Sequence, residues 1–211
     1  MLNLSRCNRL LAVELEAGPD RFTVRVQPGL LLQELNDVLA PGGAEPPGCG
    51  EELRARLQEL RAAPCFFAPD PTETGASLGG MAACNASGAR SYFYGPMRPY
   101  VRALRAVLAD GSTLALRRGE VRAVGREFRL PLERGAPPLG SGAGGASAGL
   151  PRPALCGRLP DYRLPAVKNA AGYFVEEDMD LLDLFIGSEG TLALISELSL
   201  LLLPRPRHTW G

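Results

Sequence analysis

Two stretches of this sequence concentrate residue types that can hold a polar ligand without a metal or a formal cation. The first is PDPTETGASLGGMAACNASG, from Pro69 to Gly88, in which fourteen residues are Gly, Ala, Pro, Ser or Thr. The pair Gly79-Gly80 lets backbone approach a ligand closely, and Ser or Thr hydroxyls with free amides can bind phosphate. Asn85 adds an amide that both donates and accepts. The same composition also fits a long surface loop with turn chemistry. The second stretch is LLDLFIGSEGTLALISELSLLLLP, from Leu181 to Pro204, which sets Gly187-Ser188-Glu189-Gly190-Thr191 between two apolar runs. Apolar flanks would bury that turn, and a buried turn must find partners for its amides and carbonyls. A ligand could supply some of them, with Glu189 accepting from ribose hydroxyls. An ordinary helix-to-strand turn, with Glu189 in solvent, is the alternative.

Other chemistries have less to stand on. The only histidine, His208, lies three residues from the C-terminus in a Pro- and Arg-rich tail. That argues against a zinc site and against most triad mechanisms. No residue stands out as a catalytic acid or base. The five cysteines (Cys7, Cys49, Cys65, Cys84, Cys156) form no C-x-x-C pair, and their irregular spacing fits a reducing compartment. With 23 basic and 23 acidic residues the formal net charge is zero, which argues against nucleic acid as the main partner. No signal-peptide pattern is visible, since the apolar block Leu10 to Val13 is too short. Leu192 to Leu203 includes Ser196, Glu197 and Ser199 and is too short and too polar to span a bilayer. A soluble, cytoplasmic protein is expected.

The elements that must position the two stretches follow from periodicity. RFTVRVQPGLLLQELNDVLA alternates at Phe22, Val24 and Val26, turns at Pro28-Gly29, and becomes helical with Leu31, Leu32, Leu35, Val38 and Leu39 on one face. Glu51 to Pro64 reads as a charged helix closed by its proline, and a short apolar strand begins at Cys65. VRALRAVLADGSTLAL reads as a hairpin around Asp110-Gly111. A helix is expected from about Met179 to Ile186. Residues 135–153 are low in complexity and read as a mobile insertion, since nothing there buries enough apolar area to offset its ordering entropy. Hairpins mixed with helices, without strict strand–helix alternation, predict an α+β fold with a mixed, partly antiparallel sheet flanked by helices.

Taken together, APDPTETGASLGGMAACNASGARSYFYG and KNAAGY…DLFIGSEGTLALI resemble the paired signatures of the FAD-linked oxidoreductase family, the vanillyl-alcohol-oxidase and cresol-methylhydroxylase type with its PCMH-type FAD-binding domain. Within it, the chain is similar to the D-lactate dehydrogenase and glycolate oxidase flavoprotein subunit group. VRVQPGLLLQELNDVLA and VRALRAVLADGSTL fall in the family's order, so the resemblance runs from about Leu2 to Pro206. It implies FAD as cofactor, a small-molecule substrate such as a 2-hydroxy acid or similar alcohol, and hydride transfer to the flavin. An ether-lipid synthase branch shares the domain and is a second chemistry.

The resemblance also implies which positions meet FAD. Pro69, Asp70, Pro71, Thr72, Glu73, Thr74 and Gly75, with Ser77, Gly79 and Gly80, would run along the pyrophosphate and the isoalloxazine edge. Cys84, Asn85, Ala86 and Ser87 would continue that contact, Cys84 as a packed thiol rather than a covalent flavin attachment. Glu189, Gly190, Thr191, Leu192, Ala193, Leu194 and Ile195 would approach the adenosine end, Glu189 near ribose and the Ile195 backbone near adenine. Lys168 and Asn169 belong to the family's KN..GY element, or else are an exposed ion and a capping amide. The two turns are therefore expected to converge on opposite ends of one dinucleotide.

Departures from the family pattern carry expectations of their own. A glycine-rich turn that cradles the pyrophosphate precedes the segment resembling LNLSRCNRLLAVE in family members, and a substrate cap follows the one resembling LLLPRP. Neither has a counterpart here, so residues 1–206 are read as a partial FAD-binding domain with an incomplete first subdomain, and 207–211 as a tail. On that reading the chain is truncated at both ends, or is a non-catalytic remnant or a split subunit needing a partner chain. Alone it is expected to bind FAD weakly or not at all.

Overall fold

A computed structural model describes residues 3–15, 22–133, 154–167 and 172–206. Its centre is a five-stranded sheet in the order β1-β2-β8-β4-β5. These strands are Leu10–Leu15 (β1), Phe22–Val26 (β2), Val101–Val107 (β4), Thr113–Arg117 (β5) and Leu194–Leu201 (β8). Every pairing among them is antiparallel, which goes further than the partly antiparallel sheet the sequence suggests. Two small ribbons accompany it: Cys65–Phe66 (β3) with Leu203–Pro204 (β9), and Glu127–Pro131 (β6) with Ala154–Arg158 (β7). The low-complexity stretch 135–153 lies outside the described residues, as do the tail 207–211 with His208, and Lys168 and Asn169.

Alternation explains which sheet face is inside. Val24 pairs with Leu200 and Val26 with Leu198, while Leu104 faces both Leu198 and Leu116. All six are buried, and between them Arg25, Ser199, Ala103 and Arg117 form a row on the opposite, wetter face. A side-chain period of two turns one face to the core and leaves the other to solvent. The β4–β5 connection is longer than the two-residue hairpin signal implied. Leu108 N–H donates to the Ser112 carbonyl at 2.8 Å, Gly111 takes φ +84°, and the Asp110 carboxylate accepts from Ser112 N–H.

Helices cover the inner face. Leu32–Leu39 (α1) buries Leu32, Leu35 and Leu39, and Glu34 closes its first turn by accepting from Leu31 N–H at 3.0 Å. Glu51–Ala62 (α2) is charged outside and buries Leu57 and Leu60. Its Arg61 guanidinium donates to the carbonyls of Val38 and Ala44, reaching the last turn of α1, which has no basic residue of its own. Leu78–Ala83 (α3) and Ser91–Tyr94 (α4) are short. Among the described residues no helix is long and apolar enough to cross a membrane.

Two local structures differ from the periodicity reading. The small-residue stretch contains α3, with the Ser77 hydroxyl accepting from Gly80 N–H at its start. The segment read as a helix from Met179 to Ile186 is a single 3-10 turn, Leu181–Leu184. Asp180 is the cause: its carboxylate accepts from Leu182 N–H, its carbonyl accepts from Asp183 N–H, and Gly187 at φ +87° stops any continuation.

Candidate cofactor site

The two small-residue stretches meet through backbone. Gly187 N–H donates to the Ala82 carbonyl at 3.0 Å, and Glu189 N–H donates to the Ala83 carbonyl at 2.8 Å. The turn after the 3-10 segment therefore supplies donors for the last carbonyls of α3, which a helix end leaves open. Glu189 takes φ +54° and Asn85 φ +48°, unusual for residues with side chains. Such backbone persists only where its surroundings over-determine it, and it clusters at functional sites.

Gly79 and Gly190 line one groove of about 260 Å³, together with Leu4, Pro28, Ser77, Gly80, Ala83, Ala193, Leu194 and Ile195. Its lining carries no charged side chain. Gly190 and Ala193 are two of its lining residues whose N–H groups meet no acceptor among the described residues. A Cβ on Gly190 would meet nothing within 4 Å, and one on Gly80 would meet only the Ser77 hydroxyl at 3.0 Å. A neutral cradle of amides, one hydroxyl and apolar walls fits a planar base with its sugar. Gly79 has a different reason to be glycine: a Cβ there would lie 2.4 Å from the Pro28 Cβ, and its N–H donates to the Pro28 carbonyl at 2.8 Å. The Pro28-Gly29 turn, not a ligand, requires it.

The other candidates are distributed around this groove. Ile195 is buried in β8, and Thr191 and Glu189 are exposed at the turn, with Leu192 half-buried between Thr191 and the buried Ala193. Pro69 is buried, Asp70 and Pro71 are half-buried, and Thr72, Glu73, Thr74 and Gly75 face solvent. Gly88 packs so tightly on Asp70 that a Cβ would lie 1.7 Å from the Asp70 carbonyl oxygen, which ties the two ends of that stretch together. Cys84 and Asn85 line a separate cavity of about 570 Å³, with Gly187, Arg98, Phe174 and Glu176. Ala86 and Ser87 are half-buried beyond it. No group of three His, Cys, Asp or Glu able to hold a metal occurs among the described residues.

Sequence reasoning missed the side chains that hold this arrangement. Asp183 is 8% exposed, and Arg118 takes both its carboxylate oxygens at 2.9 and 3.0 Å. Arg98 approaches the same carboxylate at 3.5 Å and donates to the carbonyls of Asp183 and of Ile186, the latter at 2.6 Å. Its guanidinium lies 4.3 Å from the Phe174 ring centroid, and its backbone N–H donates to the Asn85 side-chain oxygen at 3.0 Å. The signal was present: a lone carboxylate inside the run Leu181 to Ile186 must be paired if that run is buried.

Residues 47–117, which include the whole first candidate stretch, match the family described as FAD binding domain. The D-lactate dehydrogenase of Anaerostipes hadrus is 28% identical over 207 residues, covering 98% of this chain and 27% of that protein. The D-2-hydroxyglutarate dehydrogenase of Haemophilus influenzae is 31% identical over 210 residues, covering 95% of this chain and 18% of that protein. The chain carries an FAD binding domain match over residues 47–117 and is similar along nearly its whole length to dehydrogenases of D-lactate and D-2-hydroxyglutarate. A solved alkyldihydroxyacetonephosphate synthase shares the fold of this chain, with a TM-score of 0.50 at 20% identity over 97% of this chain and 23% of that one. The chain spans about a quarter or less of the length of these proteins. FAD is the cofactor that the matching domain description names.

Replacing Asp183 by Ala leaves two guanidinia without their shared carboxylate. The expected loss is about 3–5 kcal/mol of folding stability, read from urea unfolding. A variant with an unchanged unfolding midpoint would show that the network does not hold the turn.

Proposed function

We propose that this chain supplies the flavin-binding part of an enzyme that oxidises a 2-hydroxy acid, with residues 1–206 as one FAD-binding unit. The observation that carries the reading is the convergence of Gly79 and Gly190 on one uncharged groove. In this reading the adenosine lies along Gly190 to Ile195, with the Ala193 and Gly190 N–H groups as donors. The Ser77 hydroxyl would donate to the pyrophosphate, Gly80 would leave room for its approach, and the stretch from Asp70 to Ser87 would run toward the flavin ring. When bound, FAD supplies the hydride acceptor, and the protein's part is to bind and orient it. The 2-hydroxy acid is taken from the two relatives named dehydrogenases of D-lactate and D-2-hydroxyglutarate. A cytoplasmic location fits the irregularly spaced cysteines.

One observation favours a partner chain as a second element of the reading. Tyr92 and Phe93, adjacent on α4, are 103% and 82% exposed. Adjacent aromatic side chains left in water support a surface that another polypeptide could cover.

FAD added to the protein is expected to bind weakly but saturably, by flavin fluorescence, and ADP is expected to displace it. Ala83→Trp, which fills the groove, should weaken binding by about tenfold or more. FAD affinity that Ala83→Trp leaves untouched would remove the groove from the reading. For the reaction itself, anaerobic bleaching of bound flavin by D-lactate or D-2-hydroxyglutarate is the expected result in the complete enzyme that contains this chain, and flavin that stays oxidised there with every 2-hydroxy acid tried would end it. For the partner, light scattering of the protein copurified from its source should give a mass above 22.5 kDa that falls to that value in the double variant Tyr92→Ser, Phe93→Ser. A monomer before substitution would rule the partner out.

A further inference from the structure

The cavity beyond the turn has a charge imbalance that the cofactor reading does not use. Two cations, Arg98 and Arg118, share one anion, Asp183, so the cluster carries one positive charge in excess. Arg118 takes both carboxylate oxygens in the closer geometry, and Arg98, 17% exposed, keeps only a 3.5 Å approach. Burial pushes the Arg98 guanidinium below its usual range, and Asp183 offsets only part of that. Arg98 gives one N–H each to the carbonyls of Asp183 and Ile186. Its Nε and its second Nη2 hydrogen meet no acceptor among the described residues.

This under-neutralised guanidinium forms part of the wall of the 570 Å³ cavity, a volume in the range of small-molecule sites. Asn85 stands beside it, and because its side-chain oxygen accepts from Arg98 N–H, its amide nitrogen is left as a donor. Phe174 and Leu164 give the cavity apolar walls. Glu176 is the one carboxylate among the described lining residues, and it is exposed at the rim. Counting Glu176, two cations meet two anions, but Glu176 is exposed and screened by solvent while Arg98 is largely buried, so the field at the guanidinium stays positive and suits a monoanion rather than a phosphate dianion.

We propose that this cavity binds the carboxylate of a small organic acid, held by the Arg98 guanidinium and the Asn85 side-chain amide, with the acid's hydrocarbon part against Phe174 and Leu164. Under the proposed activity this is the acid end of the 2-hydroxy acid, and only that identity rests on the proposed function. The carboxylate site itself stands on the charge and geometry of the cavity.

Isothermal titration of D-lactate into the protein tests this, with lactamide, its neutral amide, as the control. Lactate should bind saturably and lactamide should not. Glu176→Gln removes the opposing charge at an exposed position and should tighten lactate about threefold. Arg98→Gln should weaken it by about tenfold or more, and Arg98→Lys should lie between. Circular dichroism shows whether Arg98→Gln is folded; if it is not, the Glu176→Gln result decides alone. No saturable lactate signal, equal binding of lactamide, or an affinity that Glu176→Gln leaves unchanged or weakens would overturn the proposal. Lactate binding without any FAD binding would count against the proposed function and leave the carboxylate site standing.

Discussion

A carboxylate in the middle of an apolar run can stay buried only if cations reach it, and Asp183 is reached from two directions. Arg98 precedes β4 and Arg118 follows β5, so the two guanidinia come from the two feet of one hairpin. Arg118 also donates to the carbonyls of Val101 and Arg98, which fastens those feet to each other. Asp183 in turn belongs to the 3-10 turn that delivers Gly187 and Glu189 to the end of α3. The position of α3 against the glycine turn, and with it the groove between Gly79 and Gly190, is inherited from this one ion cluster. Asp180 reinforces it by accepting from Gly119 N–H at 2.6 Å, just past the same hairpin. A buried pair of this kind adds little net stability over an apolar substitute, but it sets a register that apolar side chains could slide through.

The molecule separates two kinds of environment with a few backbone hydrogen bonds. Along the groove the surface is neutral and shaped by glycine and alanine. In the separate cavity it is charged, with an aromatic ring under a guanidinium. A nucleoside needs the first kind of surface, because its recognition comes from shape and amide donors. An ionised group needs the second.

The strands and the two longer helices were legible because their patterns are local. Phe22, Val24 and Val26 alternate, and Leu32, Leu35 and Leu39 recur at helical spacing, so composition and period agree with the fold. The candidate stretches themselves were legible by their small residues, but not their secondary structure. α3 has six residues and no periodic apolar signal; a Ser77 cap and the fit of Gly79 against Pro28 decide it, and Pro28 is remote in sequence. The 3-10 turn at Leu181 was read as a helix because apolar spacing does not report that Asp180 will compete for the backbone amides. The partners of Asp183 lie 65 and 85 residues away, and nothing in a run of scattered arginines says which two will arrive.

Arg61 gives one further consequence. A helix end usually draws its compensating cation from its own final turn, where the carbonyls carry a partial negative charge. The end of α1 draws it from α2 instead, through Arg61 on the Val38 carbonyl. The two helices are thus a single cooperative piece: neither end-charge nor apolar stripe is complete in one of them. Sequence drift in the charged outer face of α2 is free, whereas drift at Arg61 would be felt in a different helix from the one that changed.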